Sequence, residues 1–543
     1  MFISNKLYSD YLLDFVEVAE FYEYNPYSQE SFKKRSHYLN SNYNQSREKL
    51  CSALADYNAQ LDAGVKTLEN IELLRKAETQ AVVTGQQAGV LTGPLYTVYK
   101  AITAILLARR ATEITGQPTV PIFWVASEDH DYQEVNHLQL LNNDNQLRKL
   151  ELAGQPKSES ISVGHFKVEE QLEELIDQLV AETYATEFRA DIVAALKEMA
   201  AESSTLADFF ASTMLYLFAD YGLVIFDPLL AEVRELSTEI YRRLINSQSA
   251  LVESLTATNQ ALLAQGYSLQ VDKEAENTQL FIYIEGERNA LLKDGEGFAT
   301  RNRRFEASRQ ELLALIEEEP SRFSPNVLAR PLVQEYLLPT LAYVGGPGEI
   351  AYHAQLKSLY SELNLEMPLL YPRQSITIVE SRIADYLDKY DLGKEVILAN
   401  NLKQALEKEL AARDELNIPR TFEQIKKRFS KEYDQVIPKL KKIDQNLEKL
   451  GEQNLERILA EVDYLEEKAK QFHKRNSEVL VRQFKKLQRN LLPQDKLQER
   501  VLNIFPYLFK YSRSLINELV NYFDLDILEH RLFFYEGVDS NED

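Results

Sequence analysis

AVVTGQQAGVLTGP, residues 81–94, is the stretch on which the reading of the whole chain turns. Ala81-Val82-Val83 begins it as a short buried strand, and Gly85, Gly89 and Gly93 then stand four apart. The following LYTVYKAITAILLARR has few charges before Arg109 and Arg110, so it predicts a helix buried on most of its surface. After a turn at Gly116-Gln117-Pro118, TVPIFWVAS predicts a second buried strand. Strand, helix and strand in succession form a βαβ unit, with two parallel strands joined by a helical crossover. Glycines between a strand and a helix leave backbone N–H groups at the helix N-terminus, a geometry that suits an anion, usually a phosphate. Thr84, Gln86, Gln87 and Thr92 add side-chain donors and acceptors. The alternative is a tight turn whose glycines only permit close packing of strand on helix. The stretch is not a Walker motif, because no Gly-Lys-Ser/Thr follows, and its spacing is not that of the dinucleotide fingerprint.

Further strands are expected in YGLVIFDP (221–228), LPTLAYVGG (338–346) and MPLLYPRQSITIV (367–379). The fold class is therefore α/β, with a parallel sheet of four or five strands scattered between residues 81 and 380. Residues 1–80 read as a helical segment packing on this core, with one amphipathic helix over about 45–77. The core is expected in residues 81–150, 211–245 and 331–380. Residues 151–210 read as a helical insertion, and residues 246–330 as an inserted α+β subdomain. Within the latter, FIYIEGERNALLKDGEGF predicts a hairpin turning at Asp294-Gly295. Residues 381–492 are rich in Lys, Glu, Leu and Gln. Val436, Leu440, Ile443, Leu447 and Leu450 step by four and three, as do Leu455, Ile458, Val462, Leu465, Ala469 and Phe472 in a new phase. That is a coiled-coil seam with a break near Gly451, folding back on itself or joining two subunits. Residues 493–543 add a compact helical end.

Two other stretches carry candidate chemistry. SEDHDYQEVNH (127–137) follows a strand directly, so Glu128, Asp129, His130 and Asp131 stand where ligands bind in open α/β sheets. The carboxylates could hold a cationic amine while His130 moves a proton; alternatively, Ser127 caps a helix with acids in its first turn. His130 and His137 are seven apart, on one face if helical, but match no common zinc pattern, so no zinc is expected. Gly346-Pro347-Gly348-Glu349-Ile350-Ala351 fits the loose Gly-x-Gly-x-x-Ala form, yet Glu349 would repel a pyrophosphate. A second loop at the same sheet edge is expected instead, with Glu349 capping the helix or holding an ammonium group. Arg373 either supplies positive charge to the same crevice or forms a surface salt bridge.

With 543 residues the chain exceeds one hydrophobic core. Its net charge of -23 argues against a general nucleic-acid binder. Cys51 is the only cysteine, which excludes an intramolecular disulfide or a thiolate-rich zinc site and fits a reducing cytoplasm. No signal-peptide pattern opens the sequence, and no apolar run reaches the ~18 residues of a spanning helix, so a cytoplasmic protein without membrane partners is expected.

TGQQAGVLTGPLYTVYK, FWVASEDHDYQEVNH, GGPGEIAYHAQLK, LLYPRQS and LQERVLNIFPYL, in this order, resemble the cysteine ligase family of bacillithiol biosynthesis (BshC), a likeness running over about residues 1 to 540. The resemblance implies a Rossmann-like core related to class I nucleotidyl transferases and cysteinyl-tRNA synthetase. It also implies connective-peptide insertions, a coiled-coil domain, homodimers formed through it and a second nucleotide site near it. The implied reaction joins the cysteine carboxyl group to the amine of glucosaminyl-malate, with ATP, and Mg beside it, as activator. Thr84 to Gln87 take the place of the class I phosphate signature, with glutamines where two histidines are usual, and no Lys-Met-Ser-Lys-Ser-like loop is found. On this reading His130, Asp129 and Gln86 are catalytic. Trp124, Glu128, Asp131, Glu349, Tyr352 and Arg373 bind substrate. Thr84, Gly85, Gln87, Gly89, Thr92, Gly93, Gly346 and Gly348 bind nucleotide. The competing expectation is a nucleotide-binding coiled-coil scaffold without catalysis of its own.

Overall fold

Five parallel strands form the core of the structure, a computed structural model that describes residues 5–156, 158, 160–271 and 276–535. They are β1 (Gln80–Gln86), β2 (Thr119–Val125), β3 (Val224–Phe226), β4 (Thr340–Gly345) and β5 (Leu369–Pro372). Their spatial order is β5-β4-β1-β2-β3, and every pairing is parallel. The chain thus builds outward from β1 in one direction, then returns to its other side. This creates a topological switch point between β1 and β4, where open α/β sheets bind ligands.

Helix α1 (Leu95–Thr115) crosses from β1 to β2 and ends at Gly116, whose φ of 72° is the left-handed stop that glycine accepts readily. Alternation along the strands sorts side chains between two layers. Phe123 and Val125 pack with Leu95, Val98 and Ile102 of α1, whereas Ile122 and Trp124 join Ala81 and Val83 in the core on the opposite face. The sheet is buried on both faces, which is why its strands read as continuous apolar runs.

The glycine stretch departs from its sequence reading in a specific way. β1 extends through Thr84, Gly85 and Gln86, so these residues are strand and not turn. Thr84 is buried and donates its hydroxyl to the Val344 carbonyl at 2.9 Å. A Cβ on Gly85 would lie 2.8 Å from the Trp124 carbonyl oxygen, and one on Gly89 would lie 3.1 Å from the Gly93 Cα. At both positions the requirement is close packing. The turn itself places Leu91, Thr92 and Gly93 at φ values of 50°, 68° and 66°. Asn503 holds it, donating from Nδ2 to the carbonyls of Leu91 and Gly93 at 2.7 and 2.8 Å. The first N–H of α1, that of Leu95, donates to the Leu502 carbonyl at 2.9 Å, so it is already spent.

Other elements also differ from expectation. The region 45–77 is two helices, Arg47–Gln60 and Val65–Leu74, separated where Asp62 takes a φ of 56°. The inserted subdomain is a five-stranded antiparallel sheet, Phe323–Pro325, Asn277–Ile284, Glu287–Asp294, Gly297–Thr300 and Glu306–Ser308 in spatial order, so the expected hairpin is part of a meander. Its turns fall at Glu285-Gly286 and Gly295-Glu296. A hairpin of His137–Leu141 and Leu147–Glu151 precedes the helical insertion and had no counterpart in the sequence reading. His137 therefore opens a strand and shares no helical face with His130.

Residues 379–495 form one unit, and residues 1–378 with 496–543 form the other. The first contains an antiparallel pair, α3 (Ile418–Lys441) and α4 (Asn446–Asn476), tied by Lys426 to Asp463 and Glu466 and by Lys441 to Glu448. The chain reverses at residues 442–445, and Gly451 lies inside α4, where a Cβ would come within 3.0 Å of Ile437. The glycine marks a close helix-helix approach, not the break in the seam. The segment read as a helical end belongs to the unit containing the sheet. It carries helices Phe505–Tyr511 and Ser514–Tyr522 and a strand, Arg531–Tyr535.

Substituting Gly85→Ala should force β1 and β2 apart at their carboxyl ends. We expect a loss of roughly 1–3 kcal/mol in urea unfolding, because backbone faces the new methyl group and cannot rotate away.

Candidate functional site

A cavity of about 530 Å³ opens at the carboxyl ends of β1, β2 and β4, at the switch point. Gly85, Gln86 and Gln87 reach it from β1, Glu128, Asp129 and His130 from the loop after β2, and Gly346, Gly348 and Glu349 from the loop after β4. Helix α1 contributes Tyr96 and Lys100, the inserted sheet contributes Phe281 and Arg288, and Arg330, Arg373 and Arg500 complete the rim.

Lys100 is the centre of this arrangement. It is 2% exposed, and its ammonium donates to the Gly85 carbonyl at 2.8 Å and to Gln86 Oε1 at 3.0 Å, while pairing with Glu349 Oε2 at 2.5 Å. Burial lowers its pKa against the pull of Glu349. Glu349 meets both sequence expectations at once. Its Oε2 accepts the Gly346 N–H at 2.8 Å, capping helix α2 (Pro347–His353), and the ammonium it holds belongs to Lys100. Tyr343 adds its hydroxyl to Glu349 Oε1 at 2.6 Å. Burial alone would raise the Glu349 pKa, but Lys100 and these hydrogen bonds hold it below the usual range.

A second tie joins the first two loops. Gln87 Nε2 donates to Asp129 Oδ2, and the His130 backbone N–H donates to Asp129 Oδ1, both at 2.7 Å. His130 is partly exposed, with Nδ1 3.4 Å from Arg288 Nη1 and 3.7 Å from Asp129 Oδ1. Burial lowers its pKa, Arg288 lowers it further, and Asp129 and Asp131 oppose them, so the ring is neutral at pH 7.

The structure also corrects several assumed partners. Glu128 is buried against Arg234, 2.7 Å away, so its charge is already matched within the protein. Asp131 is exposed and caps the short helix Tyr132–Val135 by accepting the Glu134 N–H. Ser127 caps nothing; its hydroxyl donates to the buried Asp227. Arg373 forms a buried salt bridge, not a surface one, with Glu499 at 2.6 Å. Trp124 and Tyr352 line the cavity, whereas Thr84, Gly89, Thr92, Gly93 and Asp131 are not among its lining residues.

Lys100, Arg288, Arg330, Glu499 and Arg500 were absent from the sequence-derived set. Lys100 left a legible signal, a single charge inside a helix otherwise free of charges before Arg109. Arg288 and Arg330 left none, because their approach depends on how the inserted sheet and the helix Arg330–Leu337 fold back over the strand ends.

Removing the lysine charge with Lys100→Met should strand Glu349 beside the cavity. We expect a loss of roughly 2–4 kcal/mol in chemical denaturation, partly regained in the Lys100→Met, Glu349→Gln double variant. His353 supplies a pH signature. It is 1% exposed, Nδ1 donates to the Glu349 carbonyl at 2.7 Å, and burial pushes its pKa down from 6.5 to about 4. The folded protein keeps the ring neutral, whereas the unfolded chain protonates it. Its contribution to stability is complete above about pH 6.5 and is lost as pH falls toward 4. Between pH 7 and 5, a His353→Gln variant should lose roughly 2 kcal/mol less unfolding free energy than the unsubstituted protein.

Comparison with known proteins places these features in context. The family model described as "Bacillithiol biosynthesis BshC, N-terminal Rossmann-like domain" matches residues 2–374. "Bacillithiol biosynthesis BshC, C-terminal coiled-coil domain" matches residues 376–535. A relative from Desulforamulus reducens is 35% identical over 542 residues, covering 98% of each chain. One from Heliobacterium modesticaldum is 37% identical over 483 residues, covering 87% of this chain and 88% of the relative. One from Symbiobacterium thermophilum is 37% identical over 527 residues, covering 94% of each. All three carry the name "Putative cysteine ligase BshC".

Proposed function

Because the chain belongs to the BshC family of bacillithiol biosynthesis, we propose that it is the ligase that joins the cysteine carboxyl group to the amine of glucosaminyl-malate. The observation that carries this reading is the convergence of three strand-end loops on one cavity at the switch point of the sheet. A carboxylate and an amine do not condense usefully in water, so the acid needs activation. ATP, with Mg beside it, would supply that activation when bound.

The residues present suit such a nucleotide in one respect and not in another. Arg288, Arg330 and Arg500 bring positive charge to the cavity in a chain of net charge -23, which suits an anionic ligand. The Leu95 N–H at the start of α1 is occupied by Leu502 and is not offered to a phosphate. Gly85, Gln87, Gly346 and Gly348, on the cavity wall, are the residues that would hold the nucleotide. Asp129, fixed by Gln87, faces the amine end of a substrate. His130, neutral at pH 7, accepts the proton the amine releases on attack. Gln86, tied to Lys100, keeps the end of β1 in register with Glu349.

Two further features bear on partners. Ile443, Leu450, Leu465 and Phe472 are exposed on the coiled-coil unit, which suits a second copy of this chain. Among the described residues no helix is long and apolar enough to cross a membrane.

Purified protein given ATP, cysteine and glucosaminyl-malate should form the amide, detected by mass spectrometry, with one nucleotide cleaved per product. A Gln86→Ala, His130→Ala double variant should lose at least about 100-fold in kcat/KM. Full activity in that variant would remove the site. Nucleotide binding with no product under any condition would favour the scaffold.

A further inference from the structure

The cations around the cavity differ in how much hydrogen-bonding capacity they retain. Lys100 has three N–H donors and three acceptors, at Gly85, Gln86 and Glu349. Arg373 gives Nη2 to Glu499 and Nη1 to the Gln374 carbonyl. Arg288 gives Nε to Ser324 and Nη2 to the Pro325 carbonyl, and Nη1 meets His130. Arg330 is different. Its Nη1 donates to Gln334 Oε1 at 3.0 Å and the guanidinium also interacts with the Tyr352 side chain, but its Nη2 is buried without a hydrogen-bond partner among the described residues.

The same wall holds a second unspent donor. Trp124 lines the cavity and is 1% exposed, and its indole Nε1 has no hydrogen-bond partner among the described residues. The Arg330 guanidinium lies over this indole, 5.7 Å from its centroid, and 5.2 Å from the Tyr343 ring. The two rings hold the guanidinium in place, and the fork is oriented before any ligand arrives. Buried donors are almost always matched by an acceptor, so two unmatched neighbours on a cavity wall mark where a ligand acceptor sits.

We propose that Arg330 and Trp124 form a subsite for a substrate carboxylate. This rests on the ligase reading above and gives Arg330 and Trp124 a specific role within it. A carboxylate fits better than a polyphosphate, because its two oxygens match the two unspent donors, Arg330 Nη2 and Trp124 Nε1. Both substrates carry carboxylates, but their fates differ. The cysteine carboxylate must act as a nucleophile, and a bound guanidinium would blunt it. The malate carboxylates remain charged throughout. The subsite therefore belongs to the malate portion of glucosaminyl-malate.

Isothermal titration of the full chain tests this with four probes: glucosaminyl-malate, its dimethyl ester, L-cysteine and cysteamine. Arg330→Met should weaken glucosaminyl-malate by roughly 10- to 100-fold and leave the dimethyl ester unchanged. Trp124→Phe, which keeps a ring and removes only the N–H, should weaken it by roughly 3- to 10-fold. A loss seen for L-cysteine but not cysteamine would keep the subsite and reassign it to the amino-acid carboxylate. Wild-type affinity of both variants for both carboxylates would overturn the subsite even if product still forms. Arg330-dependent carboxylate binding in a protein that makes no product would keep the subsite and remove the ligase reading. If Arg330→Met melts early, Arg330→Lys, which retains charge without the fork, and Trp124→Phe carry the same comparison.

Discussion

The ammonium of Lys100 is the constraint around which the site is organised. A buried lysine is tolerable only when its charge and its three donors are all matched, and here the matches come from two different strand ends. Gly85 and Gln86 lie at the end of β1, and Glu349 lies just beyond β4. Because β1 and β4 are neighbours across the switch point, one cation fixes the spacing of the two loops that flank the cavity. Glu349 is fixed in turn by Tyr343 and by the Gly346 N–H, so the loop after β4 has little freedom left. The tie between Gln87 and Asp129 extends the same rigidity to the loop after β2. Preorganisation of this kind is what a site needs if its groups are to act without reorganising at the moment of reaction.

The electrostatics follow from which charges are spent inside the protein. The chain is strongly acidic, yet the acids nearest the cavity are largely committed. Glu128 faces Arg234, Glu349 faces Lys100, and Glu499 faces Arg373. Each pair removes a negative charge from the account seen by a ligand, while Arg288, Arg330 and Arg500 on the rim are not paired with those acids. Cationic groups therefore remain on the rim although the chain as a whole is net negative. Counting residue types in the sequence could suggest only the opposite sign.

Much of the fold was legible in the sequence because the strands are buried on both faces. Val82-Val83, Phe123-Trp124-Val125 and Val224-Ile225-Phe226 form unbroken apolar runs, and a run of that kind between helices reads as a parallel strand. The sheet edge that Gln86, Asp129, His130 and Gly346 occupy was legible for the same reason, since each lies at or shortly after the end of a strand. What the sequence concealed was side-chain pairing at long separation. Glu128 reads as a free carboxylate until Arg234 is brought to it, and Arg373 as either a crevice cation or a surface ion pair until Glu499 is. The glycines misled because one requirement, absence of a side chain, serves both anion binding and close packing. Gly85 answers to the Trp124 backbone and Gly89 to Gly93. Gly451 was taken for a break in the seam because a glycine in a helix and a glycine in a turn look alike until the partner residue, Ile437, is known.

Asn503 and Glu499 have a consequence for how the molecule comes into being. Both lie after the coiled-coil segment in the chain, yet they brace a turn at Leu91–Gly93 and an arginine at position 373. A ribosome releases the sheet, the inserted subdomain and the coiled-coil segment before it delivers the residues that brace this turn and Arg373. The nascent protein must therefore hold its first βαβ unit in an unbraced form until Asn503 has been delivered. It becomes competent only once the residues that follow the coiled-coil segment have been made and have docked.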